Sequence, residues 1–374
     1  MIDAPGPWGT GPFTLTQGYS SIDADQAVTR ADPFACIWLT TEDRTAEVQL
    51  TANSRYWDGR RGPRLESVVF RNDVPAQRAL DLVCDTDGEV DLLTEVHPAD
   101  AERVERSEHA RLVAIDAFRV FAGVINRKAE GLPLHDRRAR RALNLAIDRR
   151  KMVRTTLHGR ARPMSGLTPP VRLTVLHRFP GRLRPYPHDA ARAAATWRKA
   201  AGTSVRPVRI AALEGLGDIA QGVAVDLRRT LGVSTEVTVY TGDESTTARR
   251  ALAKKACPSP WDVLIVQQGG QSADVPPLEL HRAFVGEDGE YRAGPVLPTI
   301  EKLFTSLKRQ TSQLRQVLAS NRIDRYVRRH DLALFLVAPQ ALYAVNRHVT
   351  FTPYATTLEL AETHVSRRHW SRRR

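Results

Sequence analysis

Gly215, Gly217 and Ala220 spell G-x-G-x-x-[GA] behind an apolar stretch, residues 205–213, and at the mouth of a helix-forming one. Glycines in that setting let a backbone approach a pyrophosphate, and an acidic residue about twenty positions on, here Asp243, could hold a ribose. Glu214 would set a negative charge beside any such phosphate, and a plain glycine-rich strand-to-helix turn accounts for the same residues. A dinucleotide-binding enzyme therefore ranks third among the readings of this chain. The signatures of other chemistries are missing: the sequence has no G-x-S-x-G, no H-E-x-x-H and no Walker A run. Cys36, Cys84 and Cys257 stand far apart without a C-x-x-C pair, which excludes a disulfide scaffold and a four-cysteine zinc site and reads as three buried thiols. His364 and His369 have no companion ligands nearby in sequence, so packing or surface roles are expected of them. No nucleophile or general base can be named, and the chain reads as a non-enzyme without a cofactor.

The elements that would carry these residues follow from hydrophobic periodicity. Alternation over residues 46–50 and again over 66–71 predicts two strands joined by a polar loop. Helical spacing predicts a helix over 76–84, and extended runs follow at 90–93, 111–115 and 118–125. Asp136 is a good N-cap for one long helix over 137–157, with small and apolar residues on one side and arginines making surface pairs on the other. A proline-rich coil leads to a helix over 189–201. Beyond it the order is strand 205–213, helix 218–231 stopped by Gly232, strand 236–240, helix 247–256 and strand 261–266. Such short connections demand a parallel β-α-β-α-β unit over about 205–266 whose loops gather at the strand C-terminal edge, where α/β sheets bind ligands. Glu214 and Gln268 are expected at that one edge. Helices over 297–307 and 312–329 and apolar runs at 332–337 and 342–345 complete an α/β reading.

With 374 residues, 42% apolar, 26% charged and 6% aromatic, the composition is that of a globular protein of about two domains, and no stretch is long and apolar enough to span a membrane. The first residues, MIDAPGPWGTGPF, carry no recognisable secretion signal. The net charge is +13, a balance that raises nucleic acid as a partner and makes a basic nucleic-acid-binding protein the runner-up reading. Yet 48 of the 55 basic residues are arginine, spread along the chain apart from a terminal cluster, Arg367, Arg368, Arg372, Arg373 and Arg374. No helix-turn-helix, zinc finger or stacking motif accompanies them, so no nucleic acid is expected and a solvated basic surface is the simpler account.

Five colinear segments identify a different class. GPWGTGPF at 6–13, VQLTANSRYWDG at 48–59, SVVFRND at 67–73, GEVD at 88–91 and LHDRRARRALNLAIDRRKMV at 134–153 resemble the family 5 extracellular solute-binding proteins, the peptide, oligopeptide and nickel receptors of ABC importers. The most specific piece is D-x-R-x-R-x-A-L-x-x-A-I-D-R, here Asp136 to Arg149. The resemblance implies a two-lobed periplasmic-binding-protein-like fold of class II type, α/β, that closes on a small solute and presents it to ABC permease subunits, as a monomer in the periplasm or at the cell surface. It places a remnant of lobe I at residues 1–131 and 346–374 and lobe II at 132–345.

Two departures from the family pattern bear on function. In the family the GTGPF-like segment follows a signal, the first strand of the main lobe and a small extra domain, whereas here it starts at Gly9. The resemblance therefore implies an N-terminal truncation that removes part of the first lobe and the extra domain. Family members also often follow the WDVLIV-like strand with G-W-x-G-D-x-x-D-P, in which the tryptophan packs on ligand and the first aspartate holds an amino group. Aligning Asp274 with the second aspartate puts Gln268 at the tryptophan and Gln271 at the amino-binding aspartate, with Gly270 between them. A neutral amide forfeits the charge-assisted part of an ammonium contact. The substrate-binding residues expected are thus Glu214, Gln268, Gly270, Gln271 and Asp274, toward a peptide or a sugar-like ligand.

Overall fold

The computed structural model describes residues 10–18, 45–170, 183–201, 206–242, 244–245, 247–248, 260–269, 276–353 and 360–373. The chain forms two compact units, one of residues Met1–Ile115 and Ala341–Arg374, the other of Asp116–Gln340.

In the first unit, strands β1 (Phe13–Gln17), β2 (Glu47–Ala52) and β3 (Ser67–Arg71) make an antiparallel sheet in which Leu15 faces Leu50 and Val48 faces Phe70. Helix α1 (Ala76–Asp85), strand β4 (Leu92–Leu93), helix α2 (Ala101–Arg106) and strand β5 (Ala110–Asp116) follow. Leu80, Val83 and Cys84 of α1 bury their side chains with Val96, Val104 and Ala110 in a small core. β2, β3 and α1 match the periodicity that predicts them, and β3 alternates exposed and half-buried residues along its length; β1 has no counterpart in that reading.

The second unit opens with β6 (Arg119–Ile125), buried from Val120 to Ile125, and continues through α3 (Arg137–Ala146), α4 (Arg149–Thr155), β7 (Ala161–Pro163) and α5 (Ala190–Ala201). Then come β8 (Val208–Ala212), α6 (Gly217–Leu231), β9 (Thr235–Val239), β10 (Val263–Gly269), α7 (Pro276–Val285), α8 (Pro298–Lys308), α9 (Gln313–Arg329) and β11 (Ala333–Asn346). The last strand begins in the second unit and ends in the first, where its later residues pair with β4 through Ala344 and Leu93 and with β5. The short strands β12 (Val349–Thr350) and β13 (His364–Val365) pair near the C-terminus. Among the described residues no helix is long and apolar enough to cross a membrane.

The sheet of the second unit runs β11-β6-β10-β8-β9. β8 is parallel to β9 and to β10, as the β-α-β-α-β pattern demands, and β10 turns antiparallel on its other side to β6. Val263, Leu264, Ile265 and Val266 are all buried, as the unbroken apolar run requires of a strand covered on both faces. Of the helix expected over 247–256, only Thr247 and Ala248 fall among the described residues, and both are helical. β6 and β11 pack so closely that Gly123 has no room for a side chain: a Cβ there would sit 2.9 Å from Leu334 and from Val263.

Three details depart from the pattern. The long helix expected over 137–157 breaks at Ile147, which is extended, and restarts at Asp148, whose carboxylate caps α4 by accepting from Lys151 N at 3.0 Å. Asp226 of α6 accepts from Asp148 N at 2.8 Å, which holds the break. Continued helical spacing could not reveal it, because the two halves keep their apolar faces inward across the kink. Secondly, two arginines of the signature helix are not on the surface: Arg140 and Arg149 are buried. Arg140 donates to the carbonyls of Leu134, His135, His330 and Asp331 at 2.7–2.9 Å. Arg149 donates to the carbonyls of Asn144, Ile147 and Phe335 and to Asn144 Oδ1, and its guanidinium lies over the Tyr186 ring. Burial lowers Arg140 and pushes Arg149 down to about 9, which leaves Arg149 a cation at neutral pH. Arg138 behaves as expected, in a pair with Asp136, and Arg137 is likewise exposed, 3.5 Å from Asp331. Thirdly, the two apolar runs at 332–337 and 342–345 are one continuous strand, β11.

Candidate functional site

The parallel strands β8, β9 and β10 end at a common edge. Ala212, the last residue of β8, lies opposite Val239 of β9 and Ile265 of β10, and Leu213 N continues the ladder to Ile265 O at 3.1 Å. The chain then leaves β8 through Glu214 and Gly215 and enters α6. Gly215 takes φ +78, the left-handed region that glycine reaches without strain, and a Cβ there would meet nothing within 4 Å. Its role is the turn. Gly217 has a different reason: a Cβ would come 3.3 Å from Val239, so its smallness lets α6 approach β9. One role is conformational and the other steric, and both belong to a plain strand-to-helix turn. Asp243, the residue that would bind a ribose, lies outside the described residues.

Glu214 is exposed at this edge, and its Oε2 accepts from Gly242 N at 3.2 Å, a contact that ties the loop after β8 to the loop after β9. Gln268, near the end of β10, is half-buried, and its Oε1 accepts from the Tyr291 hydroxyl at 3.1 Å. With Oε1 so engaged, the amide presents Nε2 as its donor. Tyr291 is buried, and its ring lies 5.3 Å from that of Phe284 on α7. Tyr240, just past β9, is half-buried, and burial with the nearby Glu244 raises its hydroxyl above the ordinary tyrosine value. The structure thus brings Glu214 and Gln268 to the same sheet edge; Gly270, Gln271 and Asp274 lie outside the described residues. Tyr291 and α7 have no counterpart in the sequence reading. The available signal was the apolar set Leu278, Leu280, Ala283 and Phe284 at helical spacing, and behind it a single tyrosine among glycines and charges.

The groups at this edge can form hydrogen bonds and an ion pair with a ligand. The edge offers a carboxylate, a primary amide held by a buried phenol, and backbone groups at strand ends, arranged on a rigid sheet. A cleft of about 430 Å³ in the first unit, lined by Cys84, Asp85, Ala99, Glu102, Arg103, Arg106 and Ser107, is a weaker candidate. Its arginines pair with its own carboxylates and with Asp81, and burial raises the Cys84 thiol. His369 bonds Asp91 Oδ1 at 2.9 Å and His364 approaches the Glu362 carbonyl; among the described residues no histidine, cysteine or carboxylate cluster is arranged to hold a metal.

Comparison with known proteins decides the family. The sequence profile of the bacterial extracellular solute-binding proteins, family 5 Middle, matches residues 4–273. The chain belongs to this family. A curated relative, the probable di/tripeptide-binding protein 5 of Pseudomonas aeruginosa (strain UCBPP-PA14), is 26% identical over 150 residues, 40% of this chain and 27% of that protein. Among solved structures, the periplasmic oligopeptide-binding protein OppAIV from Borrelia burgdorferi superposes with a TM-score of 0.68 at 16% identity, over 96% of this chain and 65% of that one. The dipeptide-binding protein from Pseudoalteromonas sp. SM9913, solved with Met-Leu, gives a TM-score of 0.69 at 16% identity, over 96% and 64%. At these identities the likeness shows the fold, the two-lobed α/β architecture that the signature helix implied. The family 5 chain spans just under two thirds of the length of these two structures. In it, the signature segment 134–153 is a packing device: its buried arginines bind the carbonyls that open β11, while the candidate site lies on other elements.

Proposed function

We propose that the protein is the solute-binding component of a peptide-type ABC importer, and that the edge formed by Glu214 and Gln268 receives the solute. Its first unit corresponds in this reading to lobe I and its second to lobe II. The location is extracellular or periplasmic, the protein acts as a monomer, and its partners are the permease subunits. The mechanism involves no covalent step: ligand shifts the populations of open and closed forms, and the closed form is what the permease recognises.

The observation that carries the reading is the exposed Glu214 carboxylate at the C-terminal edge of the parallel strands β8 and β9. With Gln271 standing where family members carry an aspartate, Glu214 supplies the charge that a peptide ammonium needs. Oε2 accepts from Gly242 N, and among the described residues no hydrogen bond engages Oε1. Gln268 Nε2 suits a peptide carbonyl. The di/tripeptide-binding relative and the structure solved with Met-Leu support a short peptide over a sugar-like solute.

The test is titration calorimetry with di- and tripeptides, their N-acetylated forms and a panel of sugars. Short peptides with a free amine are expected to bind, acetylation to weaken them about tenfold, and Glu214→Gln to erase the difference between free and acetylated ligands. Binding of sugars without binding of peptides would overturn the peptide assignment in favour of the amide-lined alternative.

A further inference from the structure

Helix α9, Gln313–Arg329, carries an outward stripe that solute capture does not use. Its inward side is Val317, Ser320, Ile323 and Val327, all buried, with Asp324 also buried and bonded to His281 at 2.9 Å. Arg328 turns toward the protein as well, donating to Ser165 O and lying over the Tyr186 ring. The opposite side reads Leu314, Leu318, Arg322, Arg325, Arg329, residues spaced by three or four positions and all exposed, with Arg315 beside them. Leu314 and Leu318 are 47% and 45% exposed. Asp324 is the helix's one acidic residue, and it faces inward. The stripe is therefore amphipathic along its length: two aliphatic side chains at the N-terminal end, three arginines over the last two turns.

We propose that this face of α9 lies on an anionic phospholipid bilayer. A basic amphipathic helix face of this composition gains from two sources at once. Leucines enter the boundary between headgroups and acyl chains, while the exposed stems of Arg322 and Arg329 extend their guanidinium groups to lipid phosphates. The arginines supply charge complementarity, and the chain's net charge of +13 draws the whole molecule to the same surface. A nucleic acid would satisfy the arginines but would leave Leu314 and Leu318 without a partner, since a phosphate backbone offers nothing apolar. The inference is independent of which solute the sheet edge holds.

The test uses the full chain and sedimentation with vesicles of phosphatidylcholine alone or mixed with phosphatidylglycerol. Binding is expected to the mixed vesicles only, and to weaken as salt rises. Arg322→Gln/Arg325→Gln/Arg329→Gln should abolish it, Leu314→Ser/Leu318→Ser should weaken it about tenfold, and Leu314→Met/Leu318→Met should retain it. Circular dichroism confirms that each variant is folded, and peptide titration reads the sheet edge separately. The proposal is overturned by equal binding to neutral vesicles, by no binding at low salt, or by the glutamine or serine variants binding as wild type. Tight duplex DNA binding that ignores the leucine changes, with no vesicle binding, would overturn it in favour of nucleic acid.

Discussion

Buried charge in this protein is held by carbonyls in one place and by arginines in another, and the two arrangements respond differently to change. Arg149 satisfies the carbonyls of Asn144, Ile147 and Phe335 with one guanidinium. Replacing it by methionine fills the volume but leaves those acceptors unmet, and Arg149→Met is expected to cost about 3 kcal/mol in urea unfolding. Loss below about 1 kcal/mol would mean that water reaches the site. Asp262 is the converse case, a fully buried carboxylate bonded by Arg206, by Arg209 and by Arg209 N. Burial alone would raise it, but those hydrogen bonds outweigh burial and hold the carboxyl below the usual carboxylate range. A carboxylate lowered in the folded state contributes stability that is present above its unfolded value, 3.8, and is lost as pH falls through the lower folded value. Asp262→Asn should therefore cost about 2 kcal/mol at neutral pH and flatten the fall in stability at acid pH. Parallel acid limbs for wild type and variant would contradict this.

The elements around the site differ in why they need their glycines and caps, and substitutions can separate the reasons. At Gly215 the space is open and only the left-handed backbone opposes a side chain, so Gly215→Ala should cost about 1 kcal/mol. Gly123 has no such backbone demand, but a methyl group would strike Leu334 and Val263, and Gly123→Ala should cost about 2–3 kcal/mol by forcing β6 from its neighbours. Thermal unfolding of the two variants checks the order; a costlier Gly215→Ala would place unseen packing on the loop. Asp148→Ala removes the cap of α4 and should cost about 1 kcal/mol.

Across the whole molecule, each unit has its own core. The larger gathers β6, β8, β10 and the start of β11 with α3 to α9, while the smaller rests on Leu80, Val83, Val104, Leu342 and a few neighbours. Apolar burial scales with core size, so the first unit should be the less stable and melt first in calorimetry. Its C-terminal segment is tied back through Asp91, which accepts from His369 and from Trp370 Nε1 at 2.8 Å. Asp91→Ala should lower the first transition alone, and Arg149→Met the second alone. A single transition that both variants shift equally would show that the two units unfold as one.

How far sequence reaches is clearest along 205–266. The alternation of apolar runs, the glycine after α6 and the short connections determine parallel pairing of β8, β9 and β10, because local periodicity and chain chirality leave one arrangement. That reasoning alone brings Glu214 and Gln268 to one edge. The family, too, is written in local motifs, above all residues 134–153. Tertiary structure decided what those motifs do. No local rule separates a surface arginine from Arg140 or Arg149, since each also bonds carbonyls of β11 or its approach, almost two hundred residues away in sequence. The break at Ile147 depends on Asp226 from α6, and the acceptor of Gln268 is occupied by Tyr291 from a segment without periodicity. Periodicity reports which face of an element is buried; only the assembled chain shows which distant carbonyl, carboxylate or hydroxyl meets it there.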